Sequence, residues 1–493
     1  MKKQILIFFL LAGLAGCDKF LDIKPKGEVI PETAKDFDNL LNSQFLVIGA
    51  EVYPNIMTDD VHIPTVDEYG ITGINTINRY TKNLYTFQKE VFGESESDNY
   101  WSRSYNRIYN YNTIIERVLS ATHGTESEKR ALRAEALVGR AFDYLMLVNA
   151  YAKHYDANTA KTDLAVPLIL TGNVPDGTLT RATVEEIYQQ IKNDLTEAEE
   201  FLPENPKTNT FRASAKAVKG IFARMYLYLG EYEKALSYAN SLLTSHPYLL
   251  DLKSYHISRN PEVAHWHGRI INYPYGKDNK ESIYLKFPPN EYGLSMSVFV
   301  SQELLNLYDL KNDKRALLYF SNKFYGWPME GYAYMPYIYV NVGISTPEIY
   351  LIAAECEARI GNKNRALQLI NTLRDHRILN NVPLTAGTNE EVLKLVLDER
   401  RRELLMGVSR FIDLRRLNRE PRFAKTITRV IEEMKPIEIT ETDKETGEKY
   451  SYTVYEKTGK EDTYTLEANS PRYVLPIPPK ILRFNPGMPD NER

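Results

Sequence analysis

Only two of the 493 residues are cysteine, Cys17 and Cys356, so the fold is not a disulfide-stapled scaffold. No apolar run reaches the ~20 residues that a membrane-spanning helix needs. Charge is nearly balanced, 61 basic against 65 acidic residues for a net -4, which excludes a nucleic-acid binder driven by bulk electrostatics. Glycine and proline contribute 25 each, too few for a collagen-like or low-complexity chain. No phosphate loop, dinucleotide fingerprint or HExxH motif occurs. Gly293-Leu-Ser-Met-Ser297 lacks the closing glycine of a nucleophile elbow. Nothing therefore argues for an enzyme, and no cofactor is expected. Tryptophan is scarce as well, 3 against 35 tyrosines and 18 phenylalanines. Tyrosine joins a flat apolar ring to a polar tip, which suits wet binding surfaces as well as cores.

What is present begins with export. Met1-Lys2-Lys3 is a basic start, and Ile5 to Leu14 is a short apolar run, the pattern of a secretory signal peptide over residues 1–16. Leu14-Ala15-Gly16-Cys17 resembles the bacterial lipobox. That resemblance implies that Cys17 becomes the acylated N-terminus of a lipoprotein, anchored stably by several chains together. Cys356 then has no intramolecular partner. It sits in the apolar pattern Tyr350-Leu-Ile-Ala-Ala-Glu-Cys356 and is expected in the core.

The middle of the chain reads as helical, so the expected fold class is mainly α. Thr183-Val-Glu-Glu186 forms a capping box, followed by Val184, Ile187, Tyr188, Ile191, Leu195, Ala198 and Leu202 on one stripe. Thr346-Pro347-Glu348 opens a second helix and Gly361 closes it. Ala223, Gly230 and Ala235 have the same spacing as Ala354, Gly361 and Ala366. Small residues at these offsets let antiparallel helices approach closely, as in a tetratricopeptide-like (TPR-like) pair. Two copies so far apart do not form a continuous solenoid along the sequence. Further pairs are expected at 101–120 with 126–152 and at 390–407 with 408–418. The helical frame thus covers about 101–247 and 346–420. Segments 45–100 and 248–345 lack sustained periodicity, and 437–467 reads as a charged hairpin turning at Thr446-Gly447. Long irregular segments of this kind tend to carry function.

Several segments together resemble the SusD/RagB-like outer-membrane lipoproteins of Bacteroidota. They are Cys17-Asp-Lys-Phe-Leu-Asp22 with Pro25, Tyr105 to Ile115, Arg133 to Phe142 with Ala165-Val-Pro-Leu168, and Asp398-Glu-Arg-Arg-Arg-Glu-Leu404 with Arg410 to Arg415. Tyr473-Val-Leu-Pro-Ile-Pro478 and Asn485-Pro-Gly487 complete the set. The resemblance implies a single domain over 17–493 in which TPR-like helix pairs support an irregular ligand face. It also implies a cell-surface location, a SusC-like TonB-dependent transporter as partner, and capture of oligosaccharides, with peptides as the alternative cargo. A lipid-anchored scaffold that binds only proteins is the other alternative.

Sugar capture needs aromatic faces for the C–H surfaces of the rings and a few polar groups for the hydroxyls. The candidates are Trp266, Trp327, Tyr325, Tyr332 and Tyr334, with Asp59, Asp60, Tyr80 and Tyr85 from the other irregular segment. Trp101 opens a helix and is equally suited to the core. His265-Trp-His267 places two imidazoles on one strand face without a third ligand, so no metal site is expected. In Asp398 to Glu403, helical geometry puts Arg400 within about 60° of Leu393, Leu397 and Leu404. Arg400 should be buried against Glu403 or Asp413 in a structural ion-pair network, with Arg402 facing solvent.

Overall fold

The computed structural model describes residues 31–65, 73–173, 177–255, 257–258, 269–270, 273–274, 276–289, 298–324, 327–334, 340–405, 407–444 and 446–493. The protein is mainly α-helical. Its principal helices are α1 (Ala34–Leu41), α2 (Arg79–Tyr85), α3 (Asn99–Arg117), α4 (Glu126–Tyr151), α5 (Val184–Glu199), α6 (Ala215–Leu229) and α7 (Tyr232–Ser245). After a long excursion come α8 (Thr346–Ile360), α9 (Lys363–Asp375), α10 (Asn389–Glu403) and α11 (Ser409–Leu417).

Local chemistry sets these boundaries. Thr33, Thr125, Thr183 and Thr388 each accept the N–H three residues on, and the carboxylate there accepts the threonine N–H in return. Gly230 and Gly361 end α6 and α8 in the left-handed region, at φ +74° and +100°. Only glycine adopts that conformation without a steric penalty, and it lets α7 and α9 turn back at once.

Neighbouring helices pack in series: α3 on α4, α4 on α5, α5 on α6, α6 on α7, and then α7 on α8. The two hairpins with matching Ala/Gly spacing are therefore adjacent in space. The solenoid that is interrupted along the sequence is continuous in three dimensions. The chain leaves the frame after Ser245 and returns at Thr346, so the excursion interrupts the order of the chain but not the stack. Helix α4 lies at the centre, buried on every side from Ala134 to Tyr151. Gly139 makes that possible, because a β-carbon there would collide with the Tyr111 ring of α3. Trp101 and Cys356 are both buried, and the main core runs from Ala34 to Ile477.

Buried arginines tie the helices together. Arg107 pairs with Asp143, Arg140 with Asp194 and Arg224 with Glu348. In α10, Arg400 Nε donates to Asp413 at 2.7 Å, the second of its two expected partners. Glu403 accepts instead from Arg315 and Arg377. Arg402 does not face solvent. It is buried, bonding Glu399 at 2.6 Å and the Leu307 carbonyl at 2.9 Å. The segment around Leu307 covers the helix face that periodicity alone leaves open.

The strands are few. β1 (Val61–His62), β2 (Phe299–Val300), β3 (Phe320–Phe324) and β4 (Trp327–Tyr334) form one antiparallel sheet in the order β1-β2-β4-β3. This sheet joins the two irregular segments, with Val61 opposite Val300 and Phe299 opposite Ala333. The hairpin is longer than the sequence suggests: β5 (Ile427–Thr442) begins ten residues before 437 and pairs with β6 (Lys449–Leu466). Among the described residues no helix is long and apolar enough to cross a membrane.

Candidate functional site

Strand β1 lies at an edge of its sheet, and the base of β5 rises beside it. Arg429 ties β5 to the segment before β1 and to the end of α2 by donating to the carbonyls of Thr58 (2.8 Å) and Tyr85 (2.7 Å). Its guanidinium lies 3.7 Å from the Tyr85 ring centre and 4.7 Å from that of Phe87, so cation–π attraction reinforces the carbonyl contacts. Burial pulls its pKa down to about 10, which leaves a cation at neutral pH. Between β1, β2 and the hairpin base opens a cleft of about 710 Å³ lined by Asp59, His62, Tyr85, Glu303, Lys425 and Arg429 among others.

An ion-pair cluster forms one wall. Arg410 grips both oxygens of Asp59 at 2.8 and 2.7 Å. Arg401 donates to Asp60 at 3.0 Å and to Glu303 at 2.9 Å, and Lys425 bridges Asp59 (2.6 Å) to Glu303. Burial opposes ionisation of Asp59, but Arg410, Arg401 and Lys425 outweigh it and hold its carboxyl well below the usual range. The cluster contains three carboxylates and three cations, so this wall presents fixed polar groups without a net charge. Such a surface suits a neutral, hydroxyl-rich ligand better than a strongly charged one.

The structure places the sequence candidates unevenly. Asp59 and Tyr85 line the cleft, although both are largely buried and Asp59 is fully engaged by cations. Asp60 lies behind them, bonded to Arg401. Tyr334 is buried, with its hydroxyl donating to the Asp60 carbonyl at 2.9 Å. Tyr332 is half-buried against the core. Tyr80 packs against Tyr53 and Phe92. Trp266 and Tyr325, like His265, His267 and Cys17, lie outside the described residues, as does the side chain of Trp327, whose backbone opens β4.

Sequence reasoning missed His62, Glu303, Lys425 and Arg429. The β-branched run around Arg429, Ile427-Thr-Arg-Val-Ile431, would have marked the strand that brings the last of these to the cleft.

Two family models match the chain: one described as "Starch-binding associating with outer membrane" over residues 19–227, the other as "SusD family" over residues 346–493. The protein belongs to the SusD family. Solved SusD structures share its fold. A SusD-like carbohydrate binding protein from Bacteroides vulgatus is 20% identical, with 93% of this chain and 97% of that one covered at a TM-score of 0.64. A SusD superfamily protein from Bacteroides thetaiotaomicron is 18% identical, covering 94% and 100% at 0.66. Another from Bacteroides vulgatus is 22% identical, covering 93% and 99% at 0.65. No curated protein sequence matches the chain. The SusD frame is the helical stack described above, and the cleft lies where the two irregular segments and the hairpin meet.

Proposed function

We propose that this SusD protein is a cell-surface lipoprotein, anchored through Cys17, that captures oligosaccharides in the cleft and delivers them to a SusC-like TonB-dependent transporter. It binds its cargo without altering it. The observation that carries this reading is the cleft itself. Its volume falls in the range of ~300–1,000 Å³ typical of small-molecule sites, and its polar wall is charge-balanced and locked to the helical frame. Fixed donors and acceptors of that kind orient hydroxyls, while Val430 supplies exposed apolar surface. Trp266, Trp327 and Tyr325 are further ligand contacts in this reading.

Isothermal calorimetry of the purified protein against a panel of neutral oligosaccharides tests it. We expect binding that His62→Ala and Glu303→Gln weaken at an unchanged melting temperature. Binding of peptides but of no glycan would overturn the cargo assignment. Release of reducing ends from the panel would overturn the non-enzymatic one.

A further inference from the structure

The β5–β6 hairpin continues far beyond the cleft. Its register pairs Ile437 with Val454, Ile439 with Tyr452 and Glu441 with Tyr450. Because side chains alternate along a strand, these six residues share one face. The opposite face carries Glu438, Thr440, Ser451 and Thr453, all polar. The distal hairpin thus has the alternation of a half-buried sheet, yet Tyr450 and Tyr452 are 49% and 40% exposed.

The two tyrosines are also ordered relative to each other. Their ring centres lie 6.2 Å apart with planes inclined by only 22°. Both hydroxyls donate to the same carboxylate, Tyr450 to Glu441 Oε2 at 2.8 Å and Tyr452 to Glu441 Oε1 at 2.9 Å. Anchoring the hydroxyls in this way fixes the rings before any ligand arrives, which lowers the entropy cost of stacking.

We infer that Tyr450, Tyr452 and Glu441 form a second saccharide-binding platform, separate from the cleft. This rests on the proposed function, since it takes the ligand to be a glycan. Pyranose C–H faces are weakly positive and complement the negative faces of the tyrosine rings. Each Glu441 oxygen accepts one tyrosine hydroxyl and keeps a lone pair for a sugar hydroxyl. The same strand that lines the cleft at Ile427 to Val430 carries the platform's partner residues at Ile439 and Glu441. Nine residues of strand, interrupted by a register shift between Lys457 and Glu461 of β6, place the two sites at most about 30 Å apart. A polymer long enough to reach both gains affinity through effective concentration, whereas a short oligosaccharide does not. The platform therefore favours long glycan chains over fragments.

The test is affinity gel electrophoresis of the full-length protein and of Tyr450→Ala/Tyr452→Ala in soluble starch, xylan and polygalacturonate. It is paired with calorimetry on the trisaccharide of whichever polymer retards the wild type. We expect the double variant to lose polymer affinity by about tenfold or more, with trisaccharide affinity and melting temperature unchanged. Equal retardation of the two proteins would overturn the platform while leaving the cleft assignment intact. An equal loss on polymer and trisaccharide would overturn its separateness from the cleft. No retardation or calorimetric heat for the wild type on any probe would overturn both readings. Polymer binding unchanged with loss of association to a co-expressed transporter would assign this face to a protein partner instead and overturn the inference.

Discussion

Arg401 and Asp60 are 341 residues apart in the chain, and Arg401 Nε donates to Asp60 Oδ1 at 3.0 Å. This contact fastens the wall of the cleft to the helical frame. Arg401 comes from α10, Asp60 from the turn before β1, and Glu303, a third partner, from the segment after β2. One guanidinium thus fixes two segments of the irregular face relative to the stack.

Arg401→Ala leaves Asp60 buried with only Arg410, at 3.9 Å, as a nearby cation, so the variant should lose about 3 kcal/mol of stability in urea titration. It should also weaken oligosaccharide binding in calorimetry, because Glu303 and Asp60 both lose a fixed partner. Wild-type affinity in a destabilised variant would show that the cleft holds its shape without this contact.

Arg400, one residue earlier, provides the control. Its Nε bonds Asp413 within the frame, away from the cleft. Arg400→Ala should destabilise by about 3 kcal/mol and leave ligand affinity and specificity unchanged. Loss of binding at an unchanged melting temperature would contradict the structural role.

Lys286 gives a pH signature. It is buried beneath the Tyr284 ring, with Tyr111 and the Leu46 carbonyl at its ammonium. Burial lowers its pKa to about 7; nearby Asp143 opposes the shift and Arg107 adds to it. Between about pH 7 and 10.5 the unfolded chain therefore binds more protons at this residue than the folded one does, and its contribution to stability rises with pH. Below pH 7 the full cost of burying the charge is present. Comparing the protein with Lys286→Met by thermal melts across this window should show a rising difference that the variant lacks. Parallel curves would place the folded pKa near its ordinary value.

Gly139→Ala should cost about 2 kcal/mol, since the added β-carbon meets the Tyr111 ring at the closest approach of α3 and α4. The additional replacement Tyr111→Leu should recover part of that loss in the same denaturation assay. No recovery would locate the damage elsewhere.

Parts of this architecture can be read locally. Thr183 with Glu186, and Gly361 after the Thr346 helix, are signals whose partners lie within one turn, so sequence reading finds the same start for α5 and the same end for α8 as the structure. The stripe carried to Leu202 overruns α5, which ends at Glu199. The burial of Arg400 follows from helical periodicity. Arg402 defeats that logic because its cover comes from Leu307, 95 residues away. By sequence Tyr334 is a candidate ligand contact because it is an aromatic in an irregular segment close after Trp327. The sheet turns its hydroxyl onto the Asp60 carbonyl instead. Arg429 and Lys425 carry no local mark of a site; they acquire one only when β5 rises against β1.

The sequence alone determined the helical class, the hairpins closed by Gly230 and Gly361 and the family resemblance, because each depends on residues close together in the chain or on a pattern spread in order along it. Tertiary structure decided that α7 continues into α8 across a long excursion, that Asp59 and Asp60 serve an ion-pair wall, and where the cleft lies. Those outcomes depend on contacts between segments hundreds of residues apart, whose geometry is set by packing and by the cost of leaving a buried charge unpaired.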